Sequence, residues 1–185
     1  MTKKIAIFLA EGFEETEAIA TIDLLRRAGL AVCVFSITGD LKVKGANQIS
    51  IFADELFEAF SPEEFRMIIL PGGMPGTLNL QKSDPLMQLV LQFAKQRKWL
   101  AAICAAPLIF GELGLLKGRE ATCYPGFEDR LHGATLAVKK KVVIADRIIT
   151  SRGIGTVIPF ALTIIANLVG EEKADEIEKG IVYLG

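Results

Sequence analysis

The chain has 185 residues, 51% of them hydrophobic, and a formal net charge of -1. That length fits one domain with a large core. The charge balance offers no broad basic field, so nucleic acid is not an expected partner. No uninterrupted apolar stretch reaches the ~18 residues of a membrane span.

Residues 4–10 form a short, nearly all-apolar run, which suits a strand buried on both faces. The lysines before it faintly resemble a signal peptide, but Glu11, Glu14, Glu15 and Glu17 follow too soon. A cytoplasmic protein is expected. The acidic stretch Glu11-Gly12-Phe13-Glu14-Glu15-Thr16-Glu17 leads into a helix that continues to Ala28, with Ala18, Ile19, Ile22 and Leu25 at helical spacing and Gly29 as its stop. Residues 31–37 give a second strand. Residues 40–54 show weaker alternation, which reads as a hairpin on the sheet edge. Ser61-Pro62-Glu63-Glu64 carries a helix-start signature.

Residues 67–70 form the third core strand, ending in Pro71-Gly72-Gly73-Met74-Pro75-Gly76, where backbone can approach a ligand closely. Ser83-Asp84-Pro85 opens a helix with Leu86, Leu89, Val90 and Phe93 on one face. Residues 100–107 read as a buried strand, a tight turn bearing Cys104, and the start of a helix running through Leu113. Residues 118–124 predict a strand and 128–131 a helical piece. Residues 138–144 and 147–151 predict two strands joined near Ala145-Asp146. Arg152-Gly153-Ile154-Gly155-Thr156 is a glycine-rich loop. An apolar helix over 159–169 follows, then a charged tail over 171–179, either helix or loop, with a solvated face. No repeat or linker divides the chain, so residues 1–185 are read as one domain.

Strands alternating with helices predict an α/β fold with a mostly parallel sheet covered on both faces. Ligand sites in such sheets lie beyond the carboxyl ends of the strands. The acidic loop, Gly72-Gly73, Cys104 and the Arg152 loop all fall there. On its own stretch Cys104 reads equally as a small core residue; this convergence favours a reactive thiol. The helix start after it favours a thiolate. A thiolate and a carboxylate at close range cannot both ionise freely, so a nearby glutamic acid becomes its proton partner. The N–H groups of Gly73 and Ala105 are placed to hold an oxyanion. Cys33 and Cys123 lie in or beside strands and are expected to be buried and unreactive. The three cysteines show no metal spacing.

Glu-Glu-x-Glu after the first strand, Leu-Pro-Gly-Gly after the third, Ala-Ala-Ile-Cys-Ala-Ala-Pro at the elbow and Thr-Ser-Arg-Gly-x-Gly-Thr near the end resemble the ThiJ/PfpI superfamily. The similar branch is the one named for the parkinsonism-associated protein deglycase and its bacterial relatives. The resemblance runs from about Lys3 to Leu184. It implies a flavodoxin-like three-layer sandwich and a homodimer. It maps the oxidisable nucleophile onto Cys104, its glutamate partner onto Glu17, and backbone contacts onto Gly73 and Ala105. Glu14, Gly72, Tyr124, Arg152, Ile154 and Arg27 are then expected to line the pocket; a helix-end charge for Arg27 and a loop ion pair for Arg152 are the plainer alternatives. Animal members have histidine where this chain has Tyr124, and protease-like members have it where this chain has Ala105. His132 reads as a surface residue, so a Cys–Glu pair replaces a Cys–His one.

By resemblance, the activity is that of a cofactor-free, metal-free glyoxalase or deglycase. It would act on methylglyoxal or glyoxal, free or as early adducts. Two alternatives stand beside it. One is a redox-sensing or chaperone-like stress protein whose Cys104 is oxidised to sulfinate. The other is a binding dimer without chemistry at Cys104.

Overall fold

A computed structural model describes residues 4–185. Its strands are β1 (Lys4–Leu9), β2 (Val32–Ser36), β3 (Lys42–Lys44), β4 (Ser50–Phe52), β5 (Glu55–Leu56), β6 (Phe65–Leu70), β7 (Trp99–Ile103), β8 (Glu120–Ala121), β9 (Thr135–Leu136), β10 (Val142–Ala145) and β11 (Ile148–Ser151). Its α-helices are α1 (Glu15–Arg27), α2 (Gly76–Gln81), α3 (Asp84–Lys95), α4 (Pro107–Glu112), α5 (Val157–Val169) and α6 (Glu171–Gly180).

The central sheet runs β10-β11-β7-β6-β1-β2-β5, parallel except for the β10–β11 hairpin. The pleat of β1 shows why both faces need cover. Ile5, Ile7 and Leu9 join one buried cluster with Leu25 of α1 and Phe160 and Ile164 of α5. Ala6 and Phe8 join another with Phe93 of α3 and Phe110 of α4. Burying apolar surface on both sides supplies the main stabilisation, about 25 cal/mol per Å². This is the three-layer α/β sandwich expected from the sequence. Helix boundaries follow local chemistry. Glu14 caps α1, its Oε2 accepting from the Glu17 N–H at 2.6 Å. Ser83 caps α3, accepting from the Leu86 N–H at 3.4 Å.

Several local expectations change. The hairpin over residues 40–54 exists, but β3 and β4 form their own two-stranded sheet; the edge strand is β5. The Ser61-Pro62 signature yields only a 3-10 turn over Pro62–Glu64, and Ser61 makes no capping bond, because β6 starts at once. The strand expected over 118–124 shrinks to β8, paired with β9 apart from the main sheet. Cys33 is only half-buried, whereas Cys123 is buried as expected.

Candidate active site

The chain order places the site. After β1 the chain crosses to β2 on one side, while β6 lies on the other side of β1. The space between the carboxyl ends of β1 and β6 is therefore a topological switch point, the favoured ligand position in such sheets. Glu17 enters it from α1. Gly72 and Gly73 enter from the loop after β6. Cys104 enters from the elbow after β7.

Cys104 sits at φ 65°, left-handed backbone that an L side chain seldom adopts. Two backbone bonds hold it there. Its N–H donates to the Ser151 carbonyl at 3.0 Å, and its carbonyl accepts from the Tyr124 N–H at 2.7 Å. Gly72 leaves room for the thiol and carboxyl to meet. A Cβ at Gly72 would stand 2.4 Å from Cys104 Cβ, 3.0 Å from its Sγ and 2.7 Å from Glu17 Oε2. Gly73, at φ 94°, lies so close to the acidic loop that a Cβ there would stand 2.4 Å from the Glu14 nitrogen.

Glu17 has no solvent exposure. Its Oε2 accepts from the Gly72 N–H at 2.9 Å, and Oε1 has no hydrogen-bond partner among the described residues. Burial pushes the carboxyl up to about 7, opposed by donors from Gly72 and Cys104 and slightly aided by the Glu14 carboxylate. Burial also pushes the Cys104 thiol up, to about 12, and the neighbouring Glu17 carboxylate adds to the push. The Gly73 and Ala105 N–H groups pull it down. The expectation that the helix start by itself favours a thiolate is thus corrected: desolvation outweighs the backbone donors while Glu17 is charged. With Glu17 protonated, a repelling charge beside the sulfur becomes a donor. The two groups form one coupled proton site.

A cavity of about 490 Å³ opens over this pair, lined by Glu14, Glu17, Cys104, Tyr124, Arg152 and Ile154, with Pro125, Gly153, Gly155 and Thr156 completing it. The Thr156 hydroxyl shapes the rim, accepting from the Arg152 and Gly153 N–H groups at 3.2 and 3.1 Å. Thr156 lay within a motif read from the sequence, but its part in holding the loop was not foreseen. Arg152 donates to the Val138 carbonyl. Tyr124 is 49% exposed and its ring edge faces Gly153.

Arg27 does not join the pocket lining and takes the plainer role of a helix-end charge. It lies in the last turn of α1, about 15 Å along the helix from Glu17, and pairs with Asp23 at 2.6 Å. Within one chain it does not line the cavity. Glu15 does more than open the helix. Its carboxylate accepts from the Asn47 and Ile49 backbone N–H groups at 2.7 and 3.3 Å and from the Asn47 amide at 3.0 Å, fastening the turn between β3 and β4. His132 is exposed and lies 3.4 Å from Glu112. Among the described residues no group of three or more His, Cys, Asp or Glu is placed to hold a metal ion, and no helix is long and apolar enough to cross a membrane.

The sequence matches the DJ-1/PfpI family over residues 3–167. It is 41% identical to Protein DJ-1 homolog B of Arabidopsis thaliana over 98% of this chain and 42% of that protein. Homolog A of the same plant is 42% identical, over 95% of this chain and 45% of its own length; the chain spans less than half the length of these two relatives. Glutathione-independent glyoxalase DJR-1.2 of Caenorhabditis elegans is 35% identical over 91% of this chain and 90% of that one. Among solved structures, Drosophila melanogaster DJ-1beta superposes with a TM-score of 0.94 at 35% identity, covering 98% of each chain. Oxidized Toxoplasma gondii DJ-1 gives 0.92 at 33%, covering 100% of each.

Proposed function

The chain belongs to the DJ-1/PfpI family, and from that premise we propose that it is a cysteine-dependent glyoxalase or deglycase acting on methylglyoxal, glyoxal and their early adducts. The observation that carries the reading is the unpartnered, buried Glu17 Oε1 beside Cys104 at the base of the cavity. A buried carboxyl kept near neutral pKa with a free oxygen suits a group that moves protons.

The steps follow from this pair. Cys104 sulfur adds to the aldehyde carbon, and the thiol proton passes through Glu17 to the aldehyde oxygen, giving a hemithioacetal. Glu17 then takes the proton from that carbon and returns one to the adjacent carbonyl carbon, with the oxygens exchanging the balancing proton through the enediol. The product is a lactate thioester. Water cleaves its sulfur–carbon bond, releasing lactate and restoring the thiol. The Gly73 and Ala105 N–H groups, which already pull the thiol down, stabilise the oxyanions of addition and hydrolysis. No metal or organic cofactor enters these steps.

The deciding experiment is a chelator-treated methylglyoxal assay on wild type, Cys104→Ser and Glu17→Ala. Lactate formation is expected to fall to background in both variants; unchanged turnover in the serine variant rejects the reading. A second reading, oxidation of Cys104 to sulfinate as a redox signal, draws support from the same donors and from the solved oxidized relative. Mild peroxide with intact mass and peptide mapping tests it, and earlier oxygen uptake at Cys33 or Cys123 rejects it.

The protein is further proposed to act as a cytoplasmic homodimer. Ile19 on α1 and Ile49 and Phe52 on the β3–β4 hairpin are 43%, 55% and 73% exposed, and this apolar surface makes these two elements the candidates for the interface.

A further inference from the structure

A second cleft, of about 310 Å³, opens at the opposite end of the sheet, where β7 and β11 begin. Its floor is apolar, with buried Leu100 and Ile148 and half-buried Leu115. Its rim carries Lys95, Arg97, Lys98, Arg119 and Arg147 against a single carboxylate, Asp146. In a chain of net charge -1 this is a concentrated positive field. Low-dielectric walls strengthen such a field toward anions.

The fold positions these cations. Arg97 and Arg119 both reach Asp146, at 3.1 and 3.8 Å. Arg119 also donates to the Leu115 carbonyl at 2.6 Å, which holds it over the floor. The Arg147 guanidinium lies over the Trp99 ring, 5.4 Å from its centroid. Lys98 lies over Phe93 at 4.4 Å and donates to the Pro62 carbonyl at 2.7 Å. Arg97 follows the C-cap of α3 at φ 53°, a position where glycine is the low-cost residue. A guanidinium is thus kept where the backbone favours having no side chain.

Setting Lys98 aside with its own partners, Asp146 is the one carboxylate lining the cleft against Lys95, Arg97, Arg119 and Arg147. Each guanidinium has five N–H donors, and the carboxylate occupies few of them. A multivalent anion matches this cluster of cations, and the apolar floor suits an organic part on the same ligand. We propose that this cleft binds a small phosphorylated organic molecule of the nucleoside diphosphate class. Its phosphates lie on Lys95, Arg97 and Arg119, and its organic part on Leu100, Leu115 and Ile148. The volume is at the lower end of ligand pockets, so part of the ligand stays in solvent. The site is separate from the thiol: β7 carries Leu100 at one end and leads to Cys104 at the other, about 13 Å away at 3.3 Å per residue. The inference does not depend on the glyoxalase reading.

Calorimetric titration of the full chain with ADP and with inorganic pyrophosphate tests it. ADP is expected to bind, more weakly as salt rises, and to bind more tightly than pyrophosphate. Arg97→Gly, which suits the local backbone, and Arg119→Gln should each weaken ADP about tenfold or more, while Arg97→Gly leaves the rate of Cys104 alkylation by iodoacetamide unchanged. Absence of binding by either probe at millimolar concentration overturns the proposal. So does equal ADP affinity in wild type and both variants, which places the ligand elsewhere. Pyrophosphate binding as tight as ADP overturns the organic half of the ligand.

Discussion

Replacing Glu17 by glutamine removes the one buried carboxyl whose proton is held most abnormally. In the unfolded chain this group titrates near its ordinary 4.5; in the fold, burial raises it to about 7. Between those values the folded state holds a proton that the unfolded state has released. Stability from this group is therefore full below about pH 4.5 and declines as pH rises toward 7. The separation corresponds to about 3 kcal/mol. Glutamine keeps an acceptor for the Gly72 N–H and has nothing to titrate. Urea unfolding of wild type and Glu17→Gln, reduced and at one protein concentration, should be run from pH 4.5 to 8. The stability of wild type relative to the variant should fall by about 3 kcal/mol across that window and level off above 7. Titrating groups away from Glu17 are common to both proteins and cancel in the difference; the coupled Cys104 thiol, held up to about 12 in wild type, is followed separately by its alkylation rate in both proteins. A difference that stays constant within about 0.5 kcal/mol, or that rises with pH, refutes the argument that burial governs this carboxyl.

Gly72→Ala drives a methyl group into Cys104 Cβ and Glu17 Oε2; methylglyoxal turnover should drop about 100-fold or more, measured by lactate release, because small displacements of reacting groups are costly. Glu15→Ala leaves the Asn47 and Ile49 donors without their acceptor and should cost about 1–3 kcal/mol by urea unfolding. The Glu15 carboxyl is held below its ordinary range because the Asn47 and Ile49 bonds and its own backbone N–H overcome a burial push upward. Its stabilisation is present above the ordinary pKa and lost as pH falls through the depressed value, so the gap between wild type and variant should narrow in acid. Phe52→Asp places a charge on the proposed dimer surface; sedimentation velocity should show a monomer, and an unchanged mass would move the interface elsewhere.

How much could be read in advance depended on the length and burial of each segment. The long apolar runs at β1, β6 and β7 announced themselves because a strand buried on both faces has no reason to alternate. Cys104 and the glycine pair were legible because they lie just after such runs, whereas Glu17 was distinguished from Glu14 and Glu15 only by the family resemblance. The short elements were not. β5 has two residues and no period to detect, and α2 follows a proline–glycine stretch that reads as loop. Ser61-Pro62 carried a sound helix-start pattern, but the demand of β6 for core positions ended the turn after three residues. The task of Glu15 depends on Asn47 and Ile49, over thirty positions away, and the distance of Arg27 from the cavity depends on helix length. Neither is encoded in local pattern. The net direction of the Cys104 pKa was misread because local sequence displays the helix start but not the depth of burial.

The elbow sets stability and chemistry against each other at a single position. Left-handed backbone at Cys104 costs about 1–2 kcal/mol for any residue with a Cβ, and glycine would escape that cost. A variant library screened for thermal resistance alone should therefore drift toward glycine at 104 and discard the thiol. Retention of cysteine under a combined screen would measure how much fitness the sulfur returns for the strain it imposes.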